Sequence, residues 1–122
     1  MELDLAGEVV VVTGAAHGMG RAIASAFAAE GAIVALIDRD PSVTVAAELL
    51  PRSPGAETLG LPLDVTDYEA LKELVRSLRE RFGRCDHVVH AAAIGSGKFG
   101  FPFWSLEPAD WDRVLSVNLK GA

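Results

Sequence analysis

Three groups of residues in this chain have types and spacings that could do chemistry. The first is Tyr68 and Lys72 in the stretch YEALK. Residues four apart share one face of a helix, so the ammonium can sit beside the phenol. A positive charge there favours the ionised phenol and suits it to proton transfer. The second is the loop TGAAHGMG at 13–20, with glycines at 14, 18 and 20. Glycines so spaced let a backbone turn sharply and approach a pyrophosphate closely. The third is Cys85, His87 and His90, residue types that ligate zinc.

What these residues can do depends on the elements that hold them. GEVVVVTG at 7–14 is a β-branched run closed by glycine, the pattern of a buried parallel strand. An alanine-rich helix is expected over 20–30, with Ile23 and Phe27 on one face and Gly31 as the stop. A second strand covers 32–38, and a helix opening on Pro41 covers 41–50. A weaker strand at 58–63 contains Gly60 and Pro62 and belongs near an edge. TDYE at 66–69 reads as a capping box. The helix it opens carries Leu71, Leu74, Val75, Leu78 and Phe82 on one face and ends at Gly83. HVVHAAA at 87–93 is a fourth strand, GSGKFGFPF a glycine and aromatic loop, and 108–118 a last helix.

The order βαβαβαβα predicts one α/β domain over 1–122. It is a Rossmann-type, doubly wound parallel sheet that stops after the fourth strand and its helix. Right-handed crossovers give the strand order 3-2-1-4, with the reversal between strands 1 and 4. Ligands of such sheets bind at that reversal, beyond the carboxyl ends of the strands.

The three groups then separate. The glycine loop joins a strand to a helix, so the free N–H groups and positive end of that helix would face a phosphate. Its GxxxGxG spacing is neither GxGxxG nor the lysine-bearing loop of NTPases. On a strand, Cys85 and His87 share a face and His90 points to the other, so no metal site is expected. Tyr68 and Lys72 fall on the first turn of an amphipathic helix, where solvated groups are ordinary.

TGAAHGMG resembles the TGxxxGxG cofactor loop of the short-chain dehydrogenases/reductases. Asp64 and Val65 resemble the family's adenine-contacting pair, and WDRVLSVNLKG at 111–121 its helix with the active-site asparagine, here Asn118. The resemblance covers almost the whole chain. It implies an oxidoreductase that moves a hydride between a nicotinamide cofactor and an alcohol or carbonyl. It also implies cofactor contacts from Thr13, Gly14, His17, Gly18, Met19 and Gly20. The family's NNAG at the end of strand 4 is replaced by His90-Ala91-Ala92-Ala93. The small Ala91, Ala92 and Ala93 still let a cofactor lie against the backbone, and His90 can replace one lost asparagine.

In the resembled family, the catalytic YxxxK lies downstream of the asparagine helix. Tyr68 precedes Asn118 and is the only tyrosine, so YEALK is expected to be a surface pair. The family's catalytic serine, on a fifth strand, is also missing from these residues. The chain is therefore expected to be the N-terminal, cofactor-binding half of such an enzyme, inactive by itself. The alternative is a non-catalytic nucleotide-binding module. A methyltransferase with a related sheet would leave the asparagine helix unexplained.

Asp38 ends strand 2, 18 residues after Gly20. A carboxylate there can accept hydrogen bonds from both ribose hydroxyls of NAD and repel the 2′-phosphate of NADP. The alternative is a loop or capping role. Arg39 could bind a 2′-phosphate or lie over the adenine. Arginine or lysine at position 17 often accompanies NADP, and this chain has histidine. NAD is expected and NADP disfavoured.

Composition narrows the partners. The net charge is −6 and the basic residues are scattered, which argues against nucleic acid. No apolar run reaches transmembrane length, MELDLAGE lacks the pattern of a signal peptide, and Cys85 is the only cysteine. A cytoplasmic protein with no membrane partner is expected. HVVHAAA would be an open apolar edge, so a homo-oligomer is expected. The substrate is not legible; GSGKFGFPFW could form one wall of its pocket or pack internally.

Overall fold

The computed structural model describes residues 2–122. The N-terminal Met1, which opens the stretch MELDLAGE, lies outside them. The elements run β1 (Val9–Thr13), α1 (Gly18–Ala29), β2 (Ile33–Asp38), α2 (Val43–Leu49), β3 (Glu57–Pro62), α3 (Tyr68–Phe82) and β4 (His87–His90). A short 3-10 turn, Phe103–Ser105, leads to α4 (Pro108–Leu115), which runs into a π-helical turn, Ser116–Lys120. The four strands are parallel in the order β3-β2-β1-β4, as the alternation predicted. Val9 pairs with Ile33 and Thr13 with Ile37, while Thr13 also stands opposite His90.

The centre of the sheet is covered on both faces because β1 and β2 are apolar at every position but their last, Thr13 and Asp38. All five residues of β1 are buried. Its even-numbered side chains, Val10 and Val12, join Val34 and Leu36 in one cluster with Ala24 and Ala28 of α1 and Val43 and Ala47 of α2. The odd-numbered Val9 and Val11 join Ala35 and Ile37 in another, closed by Leu74 and Leu78 of α3. Residues two apart share a face of a strand, so one valine run serves two cores.

Several boundaries differ from the sequence expectation. α2 starts at Val43 rather than Pro41 because the Asp40 carboxylate accepts from the Ser42 N–H at 2.9 Å, making a turn first. β3 lies one residue earlier than expected, at the sheet edge. The expected capping box at 66–69 does not form. Asp67 is the N-cap of α3 and accepts from the Ala70 N–H at 3.1 Å, whereas the Thr66 hydroxyl donates to Asp64 at 2.8 Å. Gly83 ends α3 in the left-handed region at φ 77°. Val75, expected on the packed face of α3, is exposed.

Candidate functional site

At the carboxyl ends of the strands the chain folds around one cleft of about 650 Å³. This volume is in the range of small-molecule sites. From the loop after β1 come Gly14, His17, Gly18, Met19 and Gly20; from the end of β2 come Asp38 and Arg39; after β3 come Asp64 and Val65; after β4 come Ala91, Ala92 and Ala93. These are all the residues expected at a cofactor except Thr13, which is buried behind them. Asp40, Leu63, Ile94 and Val117 also line the cleft.

The glycine loop is shaped by close approach. A β-carbon at Gly14 would lie 2.8 Å from the backbone of Ala91 and Ala92, and one at Gly20 would lie 2.2 Å from the Gly14 carbonyl oxygen. Side chains there would separate loop, strand and helix. Gly18 differs: it has φ 62° and nothing within 4 Å of where its β-carbon would be. His17, at the N-cap of α1, makes no capping side-chain bond. The positive end of a 12-residue helix therefore opens on the cleft beside a glycine that leaves space in front of it.

The β2–β3 side of the cleft is acidic. Asp38 accepts from the Ala16 N–H at 3.1 Å and from the Asp40 N–H at 2.9 Å, tying the glycine loop to the end of β2. Each carboxylate oxygen has two lone pairs, so Asp38 retains one on each for a ligand. Hydrogen bonds from Ser42, with a smaller contribution from the charge of His17, hold the Asp40 carboxyl below the usual range. Hydrogen bonds from Thr66, with Arg39 nearby, do the same for Asp64. Both remain ionised at neutral pH.

The β4 side is built from backbone. β4 stops at His90 rather than Ala93 because the Ala91 and Ala92 N–H groups both donate to the Thr13 hydroxyl, at 3.2 Å each. Thr13 thus holds the cleft wall from behind. Asn118 was expected to end a regular helix over 108–118, but that helix stops at Leu115 and Asn118 lies in the π-helical turn after it. Its side chain accepts from the Ile94 N–H at 2.8 Å and donates to the Ile94 carbonyl at 3.1 Å. Both ends of the amide are spent on fixing the segment after β4.

The other sequence candidates lie elsewhere. Tyr68 is 70% exposed and Lys72 lies 5.1 Å from its ring centroid, but neither lines the cleft. Lys72 pairs with Glu69 at 3.0 Å. His87 bonds Glu8, Cys85 is exposed, and His90 bonds Thr13. Among the described residues, no group of three His, Cys, Asp or Glu side chains could hold a metal ion. Phe99, Phe101, Phe103 and Trp104 of the aromatic loop are exposed and outside the cleft. No described helix is long and apolar enough to cross a membrane.

Residues 14–122 match a family model described as enoyl-(acyl carrier protein) reductase. The chain belongs to the short-chain dehydrogenase/reductase family. It is 40% identical over 115 residues to levodione reductase of Leifsonia aquatica, covering 93% of this chain and 42% of that protein. It is 36% identical over 128 residues to short chain dehydrogenase pigC of Monascus ruber, covering 99% of this chain and 41% of that protein. The chain thus spans less than half the length of these curated relatives. A metagenomic short-chain oxidoreductase solved with NADP is similar at 35% identity and a TM-score of 0.82, covering 96% of this chain and 52% of that one. Carveol dehydrogenase from Mycobacterium avium, solved with NAD, is similar at 31% identity and a TM-score of 0.81, covering 96% and 46%. This short-chain dehydrogenase/reductase therefore shares its fold with relatives that hold either dinucleotide.

Sequence reasoning missed Asp40, Leu63, Ile94 and Val117. Asp40 and Leu63 directly follow Arg39 and precede Asp64 in the chain, and adjacency was the available signal. Ile94 and Val117 are brought in by the Asn118 clamp, which no local pattern announces.

Proposed function

We propose that the cleft binds NAD(H) and that residues 1–122 are the cofactor-binding part of an NAD-dependent oxidoreductase acting on an alcohol or carbonyl. The observation that carries this reading is Asp38: its carboxylate is fastened to the glycine loop and faces a cleft already lined by Asp40 and Asp64. The amino end of α1 would take the pyrophosphate, and Asp38 the ribose hydroxyls. Asp64 and Val65 would border the adenine, and Ala91 to Ala93 would let the cofactor lie against backbone. A bound nicotinamide would supply the hydride chemistry. Asn118 would hold the wall of the site in place.

In this reading the protein works in the cytoplasm and associates with copies of itself. Among the described residues β4 pairs with β1 alone, so its far edge can take a further strand, from this protein or from a second copy.

These residues hold no tyrosine besides Tyr68, so the chain alone is expected to show no turnover with NAD over a panel of alcohols. Turnover that Tyr68→Phe abolishes would contradict this and bring YEALK back into the chemistry. A second nucleotide-binding role without catalysis rests on the same observation. A reading frame carrying a further YxxxK would decide for the enzyme.

The cofactor preference has its own test. Two unit charges about 4 Å apart interact by roughly 4 kcal/mol at a surface-like dielectric. After screening and an offset from Arg39, a preference for NAD over NADP of about tenfold or more should remain. Asp38→Asn keeps a hydrogen-bond acceptor and removes the charge, so calorimetry should find most of that preference gone. An unchanged ratio would reduce Asp38 to a loop anchor.

A further inference from the structure

We propose that His90 is a positioning residue that sets the β4 wall of the cleft through a single imidazole tautomer. The proposal rests on the reading of the cleft as a dinucleotide site, but its first test does not. The Thr13 hydroxyl has one proton and two lone pairs. Thr13 is 5% exposed, and its hydroxyl oxygen lies 3.2 Å from the Ala91 nitrogen, 3.2 Å from the Ala92 nitrogen and 3.0 Å from His90 Nδ1. Two N–H groups occupy both lone pairs. The remaining contact is satisfied only if the hydroxyl donates to His90 Nδ1. His90 must then be neutral, with its proton on Nε2.

The opposite tautomer would aim three N–H groups at one oxygen and leave the hydroxyl proton without an acceptor. His90 Nε2 is buried and has no partner among the described residues, so either tautomer leaves that nitrogen unsatisfied, and the contacts at Thr13 decide between them. By accepting the hydroxyl proton, His90 fixes the rotation of Thr13. Thr13 in turn directs its lone pairs at Ala91 and Ala92. Those two residues stand so close to Gly14 that no β-carbon would fit between them. A slack Thr13 would therefore loosen the wall against which the glycine loop is packed.

Long-range proton–nitrogen NMR on the wild-type chain, labelled at histidine, tests the tautomer directly. His90 should show a protonated Nε2 and an unprotonated, accepting Nδ1. A protonated Nδ1, or an exchange average of the two forms, would overturn the proposal. His90→Asn places an amide oxygen where Nδ1 sits, whereas His90→Leu offers no acceptor. The Ala91 and Ala92 amides should stay protected from hydrogen exchange in the asparagine variant and lose protection in the leucine variant. By NADH fluorescence, the leucine variant should bind about tenfold more weakly, the effect of one hydrogen bond, and the asparagine variant close to wild type. Equal behaviour of the two variants would also overturn it. Should the wild type bind neither dinucleotide, the cofactor reading fails, and tautomer and amide protection still decide the role of His90.

Discussion

Replacing Gly20 by alanine is expected to cost on the order of 3 kcal/mol of stability and to abolish measurable dinucleotide binding. The added β-carbon would sit 2.2 Å from the Gly14 carbonyl oxygen and 2.8 Å from its carbon. Neither is the end of a flexible side chain. Loop and helix must move apart, and both border the cleft. The loop cannot retreat easily, because Gly14 is already against Ala91 and Ala92 and Ala16 is bonded to Asp38. Gly18→Ala separates space from shape: its β-carbon meets nothing, so only the left-handed backbone resists, at about 1 kcal/mol. Chemical denaturation and NADH titration of both variants would check this. A Gly20→Ala chain that binds like wild type would show that the tight loop is not needed.

Leu36→Ala should be the most damaging change away from the cleft, at about 3 kcal/mol or more. Leu36 is fully buried on β2, a strand flanked on both sides by others. Its cluster is made largely of valines and alanines, including Val10, Val12, Val34 and Ala47. Small and β-branched side chains cannot swing into a vacated leucine space, so most of the cavity would persist. A domain of this size has about 5–15 kcal/mol in total, so the loss would be plain in a urea melt. Val75→Ala, at an exposed site on α3, should change stability by less than about 0.5 kcal/mol. A Leu36→Ala cost no larger than that of Val75→Ala would contradict the two-faced core.

The parts of the fold legible in the sequence were those written in side-chain patterns. VVVVT and IVALID are strands because β-branched runs bounded by glycine and aspartate have few alternatives. Gly31 and Gly83 stop their helices because both need positive φ. The cleft followed from topology, since the carboxyl ends of four parallel strands meet where the order reverses. What escaped was set by individual hydrogen bonds across the chain. HVVHAAA is apolar to its end, yet the strand stops at His90 because a buried hydroxyl 78 residues away takes the next amide. The cap of α3 moved from Thr66 to Asp67 because Asp64 competed for the threonine. The π-helical turn around Asn118 interrupts no hydrophobic period, so periodicity could not reveal it. Val75 fits the helical stripe, but the packed face of α3 is narrower than the stripe suggests.

The most direct test of the cleft as the dinucleotide site is amide chemical-shift mapping of the 122-residue chain titrated with NADH. Saturating shifts should concentrate at Gly18, Gly20, Asp38, Asp64 and Ala92, which come from four separate segments and meet only in this cleft. Residues Tyr68 and Arg79 on α3, away from the cleft, should stay still. Shifts centred on α3 instead, or none at millimolar NADH, would contradict the account.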